Sequence, residues 1–481
     1  MTYSVVLLRR FSGCVVLIVK VHRHRVRQSL QALVICLTLP GAAAAQAPPA
    51  NPYRPNPADE DWTFLKTAKK TDFWDPAKYI ALGPEDWSLT LGGELRFRAE
   101  GLRIRPTGDR PSTVDNYQLQ RYLFSGDARL GRHVRLFGEL QSGILTGKLQ
   151  TPRPTDHNQL DMHQAFVEWK STALRLTAGR QEIEIGSSRL ISASPGLNVK
   201  RAFDGVSTSY RGTAWRVAAV TAALVTLDPG AFDDRPDGAK LFWGGAVARR
   251  GTALGRSDLG VYYLGIDSDP STYVQGLGRE TRHTAGVHWE AAAPRVDLNY
   301  DAVVQWGHFA GAPIRAWAFA TETGIRFPKT RWTPRLSLRT DFASGDRDPG
   351  AAALQSFNPL FPGNSYSGAV GLLGPTNLTD LTPAVTMSPR RGLVVGFEMP
   401  SYWRTSLADG IYATDLRVLV PPQAGTGRYV GTNPAILVVW RATRHLEVQG
   451  VITRFLSGGF LERTFVADGF GFYSVTTRYR F

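Results

Sequence analysis

Tyr473-Ser474-Val475-Thr476-Thr477-Arg478-Tyr479-Arg480-Phe481 places an aromatic or β-branched residue at every odd position and a polar one at every even position. One face of such a strand suits apolar surroundings and the other suits water, as in a strand that separates lipid from a wet lumen. The stretch ends on the apolar Phe481, whereas the ends of soluble domains are usually frayed and polar. A half-buried strand of a soluble sandwich alternates in the same way, so the rest of the chain has to decide.

Working back from that strand, segments of roughly ten residues with the same period of two recur throughout, and none shows a helical apolar period. Trp87 to Arg98 sends Leu89, Leu91, Gly93, Leu95 and Phe97 to one side and Thr90, Glu94, Arg96 and Arg98 to the other. Tyr122, Phe124, Ala128 and Leu130 alternate with Arg121, Ser125, Asp127 and Arg129. After a tight turn at Gly131, Val134, Leu136, Gly138 and Leu140 alternate with Arg135, Glu139 and Gln141. The connections alternate too. Short turns are expected near Gly131, Ser171 to Ala173, Arg211 to Thr213, Arg250 to Ser257, Ala291 to Arg295, Phe327 to Thr333, Pro400 and Ala442 to Arg444. Long ones are expected at Leu102 to Asn116, Gly143 to Gln159, Glu182 to Asn198, Leu224 to Lys240, Asp267 to Thr281, Ser344 to Arg390, Gly410 to Arg428 and Leu456 to Phe470, with a shorter one near Ala310. This rhythm predicts an all-β fold, a transmembrane antiparallel β-barrel of about eighteen strands over residues 87–481 with short periplasmic turns and long extracellular loops. Closure leaves no exposed sheet edge. Trp169, Trp215, Trp289, Trp306, Trp317, Tyr429 and Tyr479 fall on the outer parity, as interfacial girdles require.

The front of the chain agrees with export. Arg9, Arg10, Lys20, Arg23, Arg25 and Arg27 precede the mostly apolar Leu30 to Leu39 and the small residues Ala42 to Ala45, the order of a signal peptide over residues 1–45 with an extended basic front. Neither Val15 to Val19 nor Leu30 to Leu39 reaches the roughly 18 residues of a helical span. Cys14 and Cys36 both fall in this leader, so a mature chain has no disulfide and no thiolate chemistry. Without the leader's six bases, 50 basic residues face 41 acidic ones, a net charge of about +9 without the clusters that nucleic-acid binding needs. Residues 46–86, with Ala47-Pro48-Pro49-Ala50-Asn51-Pro52 and Pro55-Asn56-Pro57, read as a periplasmic linker that is either a strap, a partial lumen plug or a tether.

Parity turns Arg96, Arg98, Arg121, Arg129, Arg135, Arg175, Arg216, Arg326, Arg335, Arg339, Arg478 and Arg480 inward, with fewer acids among them. Arginine's planar fork holds carboxylates bidentately and stays charged, so Arg96, Arg98, Arg129, Arg135, Arg335 and Arg339 are candidates for an anion path. Ladders of Arg and Glu that only satisfy one another are the alternative. Strict parity turns Arg180 outward unless a bulge brings it in. The loop Ser187 to Phe203 brings Arg189, Lys200 and Arg201 near Asp204, and the loop from Ser344 contains Phe357-Asn358-Pro359-Leu360-Phe361-Pro362. Loops this long either fold into a site or lie over it as a lid.

Enzyme signatures are missing: the sequence has no Gly-x-Ser-x-Gly elbow, no His-Glu-x-x-His and no phosphate loop. His133, His157, His163, His283, His288, His308 and His445 are scattered without metal-ligand spacing. No cofactor is expected. Asp228, Asp233, Asp234 and Asp237 share one loop and are candidates for Ca²⁺, but they lack the EF-hand spacing, and a solvated surface loop is the favoured reading. A barrel-type lipid hydrolase, assembled from scattered strands, remains the enzymatic alternative.

Asp72-Phe73-Trp74-Asp75-Pro76 with Lys78-Tyr79-Ile80, Leu91-Gly92-Gly93-Glu94-Leu95-Arg96, Gly179-Arg180-Gln181, Asn198-Val199-Lys200-Arg201-Ala202-Phe203-Asp204-Gly205, Phe342-Ala343-Ser344-Gly345-Asp346, Phe357 to Pro362 and Asn377-Leu378 together resemble the alginate-export family of outer-membrane barrels. The resemblance runs from about Asp72 to Phe481 and implies an eighteen-stranded pore with an arginine-rich constriction that passes an acidic polysaccharide outward. It also implies that Phe481 belongs to the signal read by the outer-membrane assembly machinery, and that periplasmic secretion partners are candidates. Uptake of a small organic anion is the rival reading.

Overall fold

The computed structural model describes residues 52–481 apart from 85, 106–111, 187–188, 349, 351–352, 364–370, 424–426 and 465–468. The leader and the start of the linker lie outside the described residues. Eighteen antiparallel strands form one closed sheet. They are β1 Trp87–Arg105, β2 Thr113–Leu130, β3 Val134–Thr146, β4 Asn158–Lys170, β5 Leu174–Gln181, β6 Phe203–Arg211, β7 Trp215–Thr226, β8 Arg235–Gly251 and β9 Arg256–Tyr273. The second half comprises β10 Gly276–Ala292, β11 Val296–Phe309, β12 Ala312–Arg326, β13 Arg335–Ala343, β14 Leu378–Arg390, β15 (Leu393–Glu398 and Ser401–Arg404), β16 (Tyr429–Thr432 and Ala435–Arg441), β17 Leu446–Ser457 and β18 Gly469–Arg480. β18 returns to β1 from Glu94↔Arg480 to Arg105↔Gly469, so the ladder has no free edge.

Alternation explains why these residues form a wall. Phe97, Phe124, Leu136, Val167, Trp169, Leu176, Trp215, Val261, Val304, Ile452 and Val475 are large, apolar and exposed on the outside. A water-soluble surface would not carry so continuous an apolar belt; a lipid-facing one requires it. Their neighbours Arg96, Arg121, Arg135, Glu139 and Glu94 point inward and are buried there.

Three expected connections differ in the structure. Asp267 to Thr281 is not a long loop, because β9 and β10 run on to a turn of two residues at Val274 and Gln275. Beyond the lipid belt nothing demands an apolar face, so a polar stretch that reads as loop continues as strand. Residues 378–390 are strand β14 rather than the end of the preceding loop, and the turn expected at Pro400 lies instead at residues 391–392. Prolines mislead here for one reason. Met399 and Pro400 break β15 beside Asn433 and Pro434, which break β16, while Met399 N–H donates to Pro383 O (3.0 Å) and Asn433 N–H to Pro400 O (2.8 Å). One stagger crossing three strands thus collects Pro383, Pro400 and Pro434 where missing N–H donors do least damage.

Residues 52–81 enter the lumen at the end that carries the turns 131–133, 171–173 and 212–214. Ala58 packs with the inward Phe137 and Phe166, and Trp62 donates to buried Glu60 (2.7 Å). The segment then leaves by the rim, where the Trp74 ring lies 4.5 Å from that of Phe481 and Trp74 Nε1–H donates to the Tyr479 hydroxyl (2.8 Å). Phe481 itself extends the β1–β18 ladder, exchanging hydrogen bonds with Gly93 of 3.0 and 2.8 Å. A Cβ on Gly93 would meet the Phe481 ring at 2.8 Å and Leu123 O at 2.4 Å, so the seam tolerates only glycine there.

Deleting Phe481 removes both bonds and the ring over the seam. The expected outcome is reduced outer-membrane yield and earlier unfolding in SDS on heating, with Trp74→Ala showing a smaller effect in the same direction. Normal yield and unchanged SDS resistance on deletion would show that the seam closes without its last residue.

Candidate functional site

Two connections fold into the lumen and meet. Residues 182–202, between β5 and β6, and residues 344–377, between β13 and β14, are joined by a parallel bridge between Ile191 and Phe361. Ser192 N–H donates to Phe361 O (3.0 Å) and Phe361 N–H to Leu190 O (2.8 Å). Ile191, Phe357 and Phe361 are buried against Phe203, Phe242, Leu264 and Val303 of the wall. The inward face of this sector is therefore apolar rather than water-bearing, because two loops cover it. Each such side chain contributes roughly 1.5–3 kcal/mol toward holding the loops inside. Asn358 fixes the second loop: Gln305 and Asn358 exchange bonds of 2.7 and 3.0 Å, and Asn358 Nδ2 donates to Glu280 (3.1 Å).

On the opposite wall the arginines hold the first loop. Arg96 donates to the carbonyls of Pro195 (3.4 Å), Gly196 (3.1 Å) and Leu197 (2.7 Å) and to Asn198 Oδ1 (3.0 Å). Arg98 donates to Gly196 O (2.7 Å), and Arg121 to Pro195 O (2.9 Å) and Leu197 O (2.8 Å) while pairing with Glu94. Three guanidinium groups thus satisfy a run of carbonyls that have no strand to pair with, and Asn198 Nδ2 completes the contact by donating to Asp156 O (2.9 Å).

The other predicted residues are also paired. Arg129 binds Asp61 (2.9 Å) and Glu60 O (3.1 Å), and Arg135 binds Asp127 (2.6 Å) and Ala58 O (2.8 Å), so both anchor the N-terminal segment. Arg180 keeps the outward parity: the β5–β6 register runs unbroken from Leu174↔Tyr210 to Gln181↔Phe203, with Thr177, Gln181 and Phe203 buried on the inner face, and Arg180 holds Asp204 through two bonds of 2.9 Å. Arg189 reaches Asp301 (2.6 Å) and Asn299 (2.8 Å), Arg335 reaches Asp297 and Glu322 (2.8 Å), and Arg339 reaches Asp380 (3.2 Å). The candidates therefore fall into several separate clusters rather than one ring.

Arg201 sits where the loops join. Its Nη1 alone donates to Ser192 O (2.9 Å), Phe361 O (2.8 Å) and Pro362 O (3.3 Å). Among the described residues its other two nitrogens make no hydrogen bond, and Arg201 lines a cavity of about 420 Å³. Lys240 and Arg417 line the same cavity with one acid, Asp415, and with Ile266, Leu360, Phe361 and Leu416. Burial pulls Arg201 down to about 10, which leaves it charged at neutral pH. A second cavity, of about 380 Å³, lies between the N-terminal segment and the same loop, lined by Ala58, Arg135, Glu168, Arg175, Glu182 and Pro195 among others. Burial opposes the charge on Glu182, but the Lys200 ammonium and His163 outweigh it and hold the carboxyl at about 2. Lys200 also stands 3.5 Å from Glu139, so its amine fills the middle of the Glu139, His163 and Glu182 group. Lys240 and Arg417 escaped sequence reasoning because each lies in a polar stretch with no alternation to assign it a side.

The family model described as alginate export matches residues 87–468. No curated protein matches the chain. Among solved structures, the outer membrane protein OpdK of Pseudomonas aeruginosa is 11% identical, with a TM-score of 0.55 over 81% of this chain and 98% of that one. The same protein with vanillate gives 12% and 0.54 over 81% and 98%, and OccAB1 of Acinetobacter baumannii gives 12% and 0.52 over 85% and 99%. These likenesses are of fold. With an eighteen-stranded closed wall, an apolar outer belt and a family match over nearly the whole barrel, the chain belongs to the alginate-export family of outer-membrane β-barrels.

Proposed function

We propose that the barrel is a channel for small organic anions, which enter through the cavity at Arg201, Lys240 and Arg417. The observation that carries this reading is that cavity: three bases against one acid, walls part apolar (Ile266, Leu360, Phe361) and part hydroxyl-bearing (Ser268, Ser271, Thr272), and two guanidinium nitrogens of Arg201 unused among the described residues. Its volume of about 420 Å³ lies within the roughly 300–1,000 Å³ of sites that take small molecules. An aromatic or aliphatic carboxylate matches it, its charge on the guanidinium edge and its body on Phe361 and Leu360. OpdK, which shares the fold, has been crystallised with vanillate, an anion of that kind. Family membership favours a second reading, passage of an acidic polysaccharide, and the loops that join across the lumen favour the first.

The orientation belongs to the same proposal. The connections 131–133, 171–173, 212–214, 293–295, 391–392 and 442–445 would face the periplasm together with Phe481, and 147–157, 182–202, 344–377 and 405–428 the exterior. The basic cavity then opens toward the medium. A tag after Gln150 should be labelled on intact cells and one at Gly131 should not; labelling at Gly131 contradicts this orientation.

In a planar bilayer the channel should prefer anions under a salt gradient. That preference should weaken between 0.1 M and 1 M salt, as the Debye length falls from about 10 Å to about 3 Å. Lys240→Gln with Arg417→Gln should reduce both the preference and the current block by vanillate. Cation preference overturns the reading, and block by polyuronate without block by vanillate decides for the polysaccharide.

A further inference from the structure

The aspartate-rich connection between β7 and β8 does not stand alone in solvent. Residues 229–234 lie along the start of β4: Leu160 bridges Ala231 in parallel, Phe232 N–H donates to Leu160 O (2.9 Å), and Gln159 N–H donates to Gly230 O (3.1 Å). This places Asp161 of β4 against Asp233 and Asp234, and one ligand atom from each lies within 4.8 Å of the other two. Asp161 is 2% exposed. None of the three makes an ion pair with a described residue. The nearest guanidinium, Arg180, donates to Asp234 O (3.2 Å) but spends its charge on Asp204.

Three carboxylates this close repel one another, and two further oxygens are left over. Asp161 Oδ2 has no hydrogen-bond partner, and neither does Oδ1 of Asn158. Asn158 is fully buried, and its Nδ2 donates to Asp234 Oδ1 (3.0 Å); turning the amide over would present its oxygen to the group. A buried amide oxygen without a donor is costly, and here it lies beside carboxylates that no ion pair balances. Other contacts shape the loop without adding a cation: Asp228 N–H donates to Asp234 Oδ1 (2.8 Å), Gly230 N–H to Asp233 Oδ2 (3.0 Å), and Asp234 N–H to Asp161 Oδ1 (3.3 Å).

We infer that Asp161, Asp233 and Asp234, with the amide oxygen of Asn158, form a binding site for a divalent calcium ion that fastens the β7–β8 connection to β4. The donors are all oxygens, which suits a hard cation and not zinc. Donors drawn from an irregular connection and a strand suit calcium, which takes 6–8 oxygens at about 2.3–2.6 Å in flexible geometry, whereas magnesium demands about 2.0–2.1 Å and a strict octahedron. Asp233 is exposed and gives the ion a way in. The Glu139, His163 and Glu182 group differs, because Lys200 already supplies its cation.

The test uses the full chain, purified in detergent and freed of divalent ions with EDTA. Calorimetric titration with Ca²⁺ should show one saturable site, with a dissociation constant on the order of 10⁻⁴ to 10⁻³ M, typical of extracellular modules. Ca²⁺ should also raise the temperature of unfolding, since it binds only the folded form. Asp161→Asn with Asp234→Asn should weaken binding at least about tenfold and abolish that rise, because charge is lost while shape is kept. Ca²⁺ held by residual lipid would bind equally to this variant, and equal binding overturns the site, as does the absence of saturable binding to the unmodified chain. If the double variant does not fold, Asp233→Asn at the exposed position decides, and unchanged affinity there overturns the inference.

Discussion

Arg96, Arg98 and Arg121 grip the carbonyls of Pro195, Gly196 and Leu197, and the interior of the barrel is arranged around that grip. An irregular segment inside a wall brings peptide groups that no strand can pair, and each buried unpaired carbonyl is costly. Guanidinium is the side chain suited to the task, since it offers several donors in one plane and keeps its charge when buried. The arginines face a matching problem: a buried charge requires partners, and Glu94 alone is shared among Arg121, Arg478 and Arg480. Loop carbonyls and wall cations therefore satisfy each other.

From that contact the rest of the lumen follows. With residues 195–198 fixed on β1 and β2, the preceding part of the loop reaches the far wall, where Ile191 meets Phe361 and both enter an apolar core. Lys200 and Arg201, next along the chain, are then set on opposite tasks. Lys200 neutralises Glu139 and Glu182 within the wall, and Arg201 clamps Ser192, Phe361 and Pro362. The barrel is consequently polar and charged on one side and apolar under the loops on the other, and solute space is left at the joints.

Much of this fold was legible in residues and some was not, for identifiable reasons. Alternation along Trp87 to Arg98 and Tyr473 to Phe481 assigns lipid and lumen faces because one residue of slip would exchange them. It fails at Asp267 to Thr281, where the strands leave the lipid and no longer need two different faces, at Pro400, expected as a turn, and around Pro383, inside a stretch expected as loop, although the two prolines share one tolerated stagger. Parity identified the inward arginines, but it carries no information on what meets them. Whether Arg96 faces water or a loop depends on a segment about a hundred positions away. The same blindness applies to Asp161 and Asp234, which come together only through the path of the β7–β8 connection. The length of the loops that hold Asn198 to Gly205 and Phe357 to Pro362 leaves an inward fold and a lid both open; they fold inward, and Asn198, Arg201, Asn358 and Phe361 are the joints.

The central claim is that wall arginines hold the first loop across the lumen and so set the size of the passage. Single-channel conductance tests it most directly, comparing the unmodified protein with an Arg96→Gln, Arg98→Gln, Arg121→Gln variant that retains SDS resistance. Release of residues 195–197 should give a larger and fluctuating conductance, since that stretch is then held only through its flanks, by Arg189 and Ile191 on one side and by Asn198 and Lys200 on the other. A steady conductance equal to that of the unmodified channel would contradict the account.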